Sequence, residues 1–323
     1  MPSSRGLLVI TCVLALDLMT SACPSSGPTP DLLSLVTGRC LQFSTFLNPA
    51  AMCDVTTRRQ NCSEMADLFI SAFAFQDVCN ISISRYDEFL EATNHWIPAD
   101  KSVFWEGVYD FVHLYTEMGK RAITLEDTLT GYMIDRLRFC ADPGQPSGIG
   151  GPSTHPCPSF EETDGCPWNA EFAFWTAASQ NFASKARGTV SIMLNASADV
   201  AFPPNSFFAQ WELPHLKAGE VSEANILLVH TPGHAVKETC QGPSITDLKR
   251  RLATKNISAT CRENPRDVLW LLCWEDPSHT ECREIISDDT NAASVGKSCL
   301  SVLSTLVMLT GIFLIVHISQ TTP

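Results

Sequence analysis

The chain has 323 residues and a formal net charge of −13 at pH 7. This acidic balance argues against nucleic acid as a partner, since there is no basic patch to neutralise phosphate groups. About 265 residues lie between two hydrophobic ends, enough for one large domain or two modest ones.

Both ends of the chain carry the pattern of a processing signal. An apolar run followed by small residues predicts a secretory signal peptide over residues 1–22. Residues 300–318 are long and apolar enough to span a bilayer, but no Lys or Arg follows them. With the small residues at 291–293, they predict a spacer with a GPI attachment region at 287–299 and a removed tail at 300–323.

The predicted membrane contact is therefore a lipid anchor, and the predicted location is the extracellular face of the plasma membrane. A single C-terminal transmembrane helix is the alternative for the anchor. The luminal face of a vesicle is the alternative for the location.

Cysteine usage indicates an oxidising compartment. The chain has fourteen Cys, and we expect disulfides rather than a metal site, because no CxxC pair is accompanied by a second CxxC or HxxxH. From Cys40 to Cys282 there are eleven Cys, so one thiol is free, pairs with Cys23 or bridges to another chain. Sequons predict four glycosylation sites, at Asn61, Asn80, Asn195 and Asn256.

The first part of the chain has the spacing of helices. Residues 64–75 and 84–95 place apolar side chains three and four apart, and Ser63 and Ser84 are the expected N-cap residues.

Four short apolar runs have a different pattern, since they are rich in Val, Ile, Leu and Trp and too short for helices. They are residues 102–105, 189–194, 225–230 and 267–274. Continuous apolar runs between long helical segments predict parallel strands covered on both faces, with 245–252 as a crossover helix. The Gly- and Pro-rich stretch 142–164 is expected to be a loop held by disulfides. We predict an α+β or α/β fold with a mainly helical lobe and a lobe with a small four-stranded parallel sheet flanked by helices. Ligands bind at the carboxyl ends of such strands, where Trp105 is expected.

The stretch at 123–133 contains two adjacent acids, Glu126 and Asp127. Thr124 and Asp127 form a capping-box pattern, so Glu126 and Asp127 are expected in the first turn of a helix. Asp127 is explained by the cap alone. The cap does not need Glu126, which is left to face a cleft.

Tryptophans and a third acid complete the candidate site. Trp175 and Ser179 share a helix face, and Glu212 lies in an aromatic stretch at 206–214. Trp and Phe are more often core residues than ligand platforms. As a set, however, separated acids and indoles suit glycosidic chemistry on a ligand with aromatic rings. The sequence lacks GxGxxG, GxxxxGK[ST] and GxSxG motifs, which argues against a dehydrogenase, a P-loop nucleotidase and a serine hydrolase.

From about residue 38 to 282 the chain resembles the ADP-ribosyl cyclase family, the molluscan cyclase and its vertebrate cell-surface relatives. Five motifs carry the resemblance: VFWEGVYD at 103–110, ITLEDTLTGYM at 123–133, FWTAAS at 174–179, SFFAQWELP at 206–214 and ENPRDVLWLLC at 263–273. The resemblance implies an ectoenzyme, an ADP-ribosyl cyclase or NAD(P) glycohydrolase. NAD or NADP is then its substrate, no cofactor or metal is required, and the products are cyclic ADP-ribose, ADP-ribose or both. Base exchange and a role in making calcium messengers are implied as well, and a homodimer is left open.

The same resemblance implies a role for each candidate residue. Glu212 is the catalytic carboxylate, and Glu126 contacts the leaving amide with support from Asp127. The implied substrate-binding residues are Trp105, Trp175, Ser179, Phe207 and Phe208. Phe207 stands where the strong cyclase carries Phe and the main hydrolytic relative carries Thr, which favours cyclase activity. The alternative function is a GPI-anchored receptor or adhesion glycoprotein with weak or no catalysis.

The resemblance also implies the framework of the fold. The disulfides are Cys40–Cys62, Cys79–Cys166, Cys140–Cys157, Cys240–Cys261 and Cys273–Cys282, which leaves Cys53 as the candidate odd thiol. The helical lobe comprises residues 24–98 and 124–185, the sheet lobe comprises 99–123 and 186–286, and the active-site cleft lies between the lobes.

Overall fold

The computed structural model describes residues 28–47, 61–94, 96–117, 120–142, 157–158, 160, 165–273, 277–280 and 282–283. The predicted signal peptide, Cys23, Cys53, the attachment region and the C-terminal tail lie outside the described residues, as does most of the loop predicted at 142–164. Among the helices of the described residues, none has the length and apolar character needed to cross a membrane.

Eight α-helices and four strands form the described structure. The helices are α1 Leu32–Gln42, α2 Cys62–Phe73, α3 Asp87–Ala92, α4 Tyr109–Thr116, α5 Leu129–Ile134, α6 Ala170–Lys185, α7 Pro243–Thr254 and α8 Arg266–Leu272. The strands are β1 Val103–Glu106, β2 Gly188–Asn195, β3 Val221–Val229 and β4 Ser258–Glu263. Two π-helices, Phe43–Leu47 and Phe208–Glu212, and two 3₁₀-helices, Ile83–Tyr86 and Leu213–His215, complete the elements.

The chain divides into two compact units. The described residues of the first unit lie within Met1–Pro98, Ile123–Ala186 and Trp211–Leu216, and those of the second lie within Ala99–Ala122, Arg187–Gln210 and Lys217–Pro323.

An aromatic cluster forms the core of the first unit. The ring of Phe69 contacts four other buried rings at centroid distances between 4.9 and 5.6 Å, those of Phe73, Phe89, Phe139 and Phe174. The buried hydroxyl of Tyr86 donates a 2.9 Å hydrogen bond to the Ala170 carbonyl at the start of α6. Helices α2, α3 and α6 are therefore held together by contacts between large apolar side chains.

A parallel sheet in the order β1-β2-β3-β4 forms the second unit. Consecutive residues are buried in its middle strands, as at 192–194 of β2 and 226–229 of β3, because both faces of the sheet are covered. Helix α7 connects β3 to β4, as the crossover prediction required. The predicted mixed fold with a four-stranded parallel sheet is confirmed.

All five predicted disulfides are present. Cys40–Cys62, Cys79–Cys166 and Cys140–Cys157 lie in the first unit, and Cys240–Cys261 and Cys273–Cys282 in the second. The longest of them joins residues 87 positions apart, so it removes the most conformational freedom from the unfolded chain.

The fourth strand was predicted in the wrong place. Residues 267–274 were expected to be a strand, but Arg266–Leu272 is helix α8, which begins after Pro265 and has Asp267 in its first turn. A short apolar run does not distinguish a strand from a helix. The real β4 is polar because it is an edge strand with mostly exposed side chains, and therefore it shows no apolar run.

Two predicted N-caps were also wrong. The side chain of Asn61, not that of Ser63, accepts the capping hydrogen bond of α2, from the Ser63 amide at 3.1 Å. Ser84 lies inside the 3₁₀-helix Ile83–Tyr86 that precedes α3, so the long helix expected from Ser84 onward is a 3₁₀ turn followed by a short α-helix.

Candidate functional site

In the first unit, the structure brings Glu212 and Ser179 together. The Ser179 hydroxyl on α6 donates a 3.1 Å hydrogen bond to Glu212 Oε1. Ser179 is only 4 % exposed, whereas Glu212 is half-buried. One oxygen of the carboxylate is thus held from inside the unit, and the carboxylate keeps some exposed surface.

Helix α6 supplies one wall of this site. It begins at the Asn169 cap, whose side chain accepts from the Phe172 amide at 2.9 Å. Buried Ala side chains let it pack closely against the aromatic core. Trp175 lies one turn before Ser179 on the same face and is half-buried, with its ring 4.9 Å from that of Phe174. The predicted helix with Trp175 and Ser179 on one face is present.

Glu212 is the last residue of the π-helix Phe208–Glu212. Its neighbour Trp211 is in contact with two aromatic rings and a histidine. The rings of Trp168 and Phe172 contact Trp211 edge-on at 6.1 and 6.2 Å. The Trp211 carbonyl is 2.8 Å from His215 Nδ1. These contacts fix the backbone beside the acid. Single π-helical turns are frequent at functional sites.

The acids at 126 and 127 lie in a turn before α5, not in its first turn as predicted. Asp127 Oδ2 accepts hydrogen bonds from the amide and the hydroxyl of Thr124, at 3.0 and 3.1 Å. The helix itself begins after Thr128, whose hydroxyl accepts from the Gly131 amide. Thr128 is a better cap than Thr124 because its own side chain bonds the first turn. Asp127 therefore closes the turn that precedes the helix instead of capping the helix itself, and Glu126 is half-buried in the same turn.

Gly131 allows this turn to lie directly on α5. A Cβ at position 131 would come within 2.7 Å of the Glu126 Cα and would overlap the Leu125 carbonyl more severely. Only glycine fits at this approach. The conformation of the turn that holds Glu126 and Asp127 thus depends on Gly131.

Two ionisable groups on α6 are perturbed by burial. Burial raises the pKa of Glu171 to about 7, although the Arg138 guanidinium, 3.1 Å away, and the Phe139 amide favour its charged form. Burial also lowers the pKa of Lys185, at the other end of the helix, to about 8.

In the second unit, Trp105 lies near the carboxyl end of β1, as predicted. Its ring contacts Tyr109 at 5.5 Å and His113 at 6.3 Å on the following helix α4. A cavity of about 380 Å³ opens beside it, also lined by Asn195 and His230 at the ends of β2 and β3. Ligands of parallel sheets bind at this edge.

The backbone after Trp105 turns sharply at Gly107, which has a φ of +68°. The Asn195 side chain donates to the Gly107 carbonyl at 3.3 Å and so holds the turn against β2. A residue with a side chain would be strained at this φ.

The two phenylalanines of the 206–214 stretch differ. Phe208 is fully buried, with its ring stacked on Phe104 at 5.6 Å and in contact with Phe202 at 5.9 Å. Phe207 is half-buried. Of the two, Phe207 has the surface that a ligand can touch.

Sequence reasoning passed over one acid in the second unit. Glu106, the last residue of β1, is half-buried, and burial raises its pKa while a hydrogen bond from Ser206 opposes that rise. Its signal in the sequence was a carboxylate at the end of an apolar strand, directly after Trp105. In the described part of the chain, no group of three or more His, Cys, Asp or Glu side chains is placed to hold a metal ion.

Comparison with known proteins gives consistent matches. A family model described as ADP-ribosyl cyclase matches residues 29–282. The ADP-ribosyl cyclase/cyclic ADP-ribose hydrolase of Aplysia californica is 35% identical over 280 residues, which cover 85% of this chain and 95% of that protein. The crystal structure of Aplysia cyclase complexed with substrate NGD and product cGDPR has a TM-score of 0.71 at 34% identity, covering 79% of this chain and 97% of that chain. Porcine CD38 complexed with a covalent intermediate, ribo-F-ribose-5'-phosphate, has a TM-score of 0.66 at 31% identity, covering 74% and 97%.

Proposed function

Because this chain belongs to the ADP-ribosyl cyclase family, we propose that it cleaves the bond between nicotinamide and ribose in NAD. The family match and the relatives confirm the resemblance found in the sequence and the prediction that the chain is an enzyme. The observation that carries the proposal is the half-buried Glu212 carboxylate, held on one oxygen by the buried Ser179 hydroxyl.

The chemistry follows from the charge on the substrate. Nicotinamide bound to ribose is cationic and leaves as a neutral base, so the reaction needs little help from a general acid. Positive charge then develops on the ribose, and a fixed carboxylate at that place stabilises the transition state most effectively. We assign this role to Glu212, which either stabilises the ribosyl cation or forms a covalent bond to it. The porcine CD38 complex with a covalent intermediate supports the second possibility for that relative.

Indole rings supply the binding surfaces in this proposal. Trp175 lies one helical turn from Ser179, and Trp105 borders the cavity at the end of β1. Flat aromatic surfaces suit a ligand whose two ends are a pyridine and a purine ring. Glu126 and Asp127 are proposed to contact the departing amide, with Asp127 supporting the turn through Thr124.

Phe207 is proposed to influence the product. If the adenine ring is folded over the ribose, a ring nitrogen attacks and cyclic ADP-ribose results, whereas water gives ADP-ribose. A large apolar side chain excludes water and favours folding. We expect Phe207→Thr to lower the ratio of cyclic to linear product, measured by chromatography of the products from NAD. An unchanged ratio would remove Phe207 from this role.

The decisive experiment removes the charge of Glu212. Glu212→Gln is expected to lower NAD consumption by the purified ectodomain at least about a hundredfold, the scale on which losing a key electrostatic group acts. Glu220→Gln, which changes an exposed carboxylate in a turn, is the matched control and should keep full activity. Full activity of Glu212→Gln would refute the proposed function. A native ectodomain that consumes no NAD would favour a receptor or adhesion glycoprotein instead.

We further propose NADP as a second substrate, base exchange as a side reaction and calcium-messenger production as the outcome, all by family likeness. The proposed location is the outer face of the plasma membrane, through a GPI anchor. Cleavage by a phosphatidylinositol-specific phospholipase should release the protein from cells, and retention would favour a transmembrane helix. A homodimer is proposed on family likeness alone and is tested by the mass of the ectodomain in solution.

Glycosylation is proposed at all four sequons. The side chains of Asn61, Asn80 and Asn256 are exposed, which supports their use. Asn195 is half-buried and already bonds Gly107. Enzymatic removal of N-glycans followed by mass spectrometry identifies the modified positions.

A further inference from the structure

The segment that leads toward the predicted attachment region at 287–299 is fixed to the end of helix α8. Cys282 is disulfide-bonded to Cys273, the residue that follows α8, and their Cα atoms are 5.5 Å apart. The amides of Cys282 and Arg283 both donate to the His279 carbonyl at 3.0 Å. Arg283, from which the chain continues toward the attachment region, therefore has a fixed place beside the end of α8.

An exposed tryptophan lies at the same place. Trp270 is on the last turn of α8 and is 41 % exposed, whereas Val268 on the same helix is buried in the core of the second unit. Residues three apart on a helix have Cα atoms about 5 Å apart, so the Cα atom of Trp270 is no more than about 11 Å from that of Cys282. A large apolar side chain is thus left partly in water beside the segment that leads to the proposed anchor.

The charged side chains around Trp270 suit a surface that carries phosphate groups. Arg266 lies one turn earlier on the same face of α8, and Arg283 follows Cys282; both are exposed. Asp267 is an exposed acid on the same helix. Tryptophan is enriched at the boundary between lipid and water, because its ring is apolar and its N–H is polar, and cationic side chains are attracted to lipid headgroups.

We propose that Trp270 and the end of α8 rest on the lipid surface to which the chain is anchored. The attachment residues predicted at 291–293 begin eight positions after Arg283, and eight residues span at most about 28 Å. A contact that is tethered over so short a length forms at a high effective concentration, so a small apolar contact is enough. The inference rests on the proposed lipid anchor and adds to it the part of the second unit that meets the membrane.

The experiment uses the full chain, anchored in vesicles of phosphatidylcholine whose acyl chains carry bromine near the headgroup. Bromine quenches the fluorescence of an indole that lies beside it. The emission of the native protein should fall by up to about one seventh, the share of one Trp among seven. Trp270→Phe should lose this quenching. Trp96→Phe is the matched control and should keep it, although Trp96 is 67 % exposed and thus more accessible than Trp270.

Release of the protein by a phosphatidylinositol-specific phospholipase should abolish the quenching. The proposal is overturned if the anchored native protein is not quenched, if Trp270→Phe is quenched as strongly as the native protein, if Trp96→Phe loses the quenching, or if the quenching survives release. A released protein that is a dimer, and becomes a monomer with Trp270→Glu, would show that a second copy covers Trp270 and would also overturn it.

NAD consumption, measured on the same preparations, keeps this inference apart from the proposed function. Both Phe variants should consume NAD as fast as the native protein does. An anchored and active protein whose fluorescence is not quenched refutes only the contact with the membrane. A native protein that the phospholipase does not release refutes the lipid anchor and this inference with it, whereas an anchored and quenched protein that consumes no NAD refutes only the proposed catalysis.

Discussion

Replacing Ser179 with Ala tests how the structure holds the candidate catalytic carboxylate. The lost contact is the 3.1 Å hydrogen bond from the Ser179 hydroxyl to Glu212 Oε1. A hydrogen bond to a charged group contributes about 1.5–3 kcal/mol. Because Glu212 is only half-buried, water takes over part of the lost bond, and the lower end of this range applies. About 1.4 kcal/mol corresponds to about a tenfold change in rate, so S179A should lower kcat/KM on NAD about tenfold.

The assay is the pH profile of kcat/KM, which reports groups of the free enzyme. The hydroxyl donor favours the ionised carboxylate, so without it the activity in acid should be lost at a higher pH than in the native enzyme. Ser184→Ala is the matched control, since Ser184 lies on the same helix α6 and its hydroxyl donates to the Asn181 carbonyl at 2.8 Å. If S179A raises KM and leaves the acid side of the profile unmoved, Ser179 acts on the substrate and not on Glu212. If S179A and S184A have the same pH profile of kcat/KM, the contact between Ser179 and Glu212 has no catalytic role.

Three further predictions concern stability and the turn that holds Glu126 and Asp127. Burial raises the pKa of Glu171 from 4.5 to about 7, so the native state holds this proton more tightly than the unfolded chain does. The contribution of Glu171 to stability is therefore greatest below the lower value and falls by about 3 kcal/mol as the pH rises through the higher value. E171Q should flatten this slope in urea unfolding, and an equally steep slope in the variant would contradict the assignment. Replacing Cys79 and Cys166 with Ala should cost about 4–5 kcal/mol, from the entropy of an 87-residue loop, and a loss under about 1 kcal/mol would show that the loop is already restrained. Gly131→Ala should cost about 1–3 kcal/mol and lower kcat because its Cβ meets the preceding turn, whereas Gly38→Ala, with open space around it, serves as the control in thermal unfolding and NAD turnover.

Local patterns of apolar residues in the sequence predicted the buried elements of the fold. The runs that became β1, β2 and β3 are apolar because their strands are covered by other elements, and the crossover before β4 has the spacing of an amphipathic helix. Helix α6 was recognised with Trp175 and Ser179 on one face because a four-residue spacing fixes that relation. The disulfide pairs, by contrast, came from family likeness, since eleven cysteines allow many pairings.

Features that depend on tertiary contact were not visible in the sequence. The run at 267–274 has the composition of a strand, but Arg266–Leu272 is a helix whose Val268 packs in a buried cluster, a contact that composition does not show. The acids at 126 and 127 belong to a capping-box pattern that begins at Thr124, but the residue that caps the helix is Thr128. The pKa of Glu106 is raised by burial and this rise is opposed by Ser206, a residue 100 positions away in the chain. A pattern of local spacing does not report such pairs.

The two outermost strands of the sheet differ from its middle strands in a way that bears on self-association. β1 has only four residues, and β4 presents mostly exposed polar side chains, including Arg262 and Glu263. A second molecule that docked along either rim by strand addition would gain few backbone hydrogen bonds at β1 and would meet charged groups at β4. Any pairing of two copies of this protein is therefore expected to use helical or loop surfaces, and the sheet is protected from growing into a fibril.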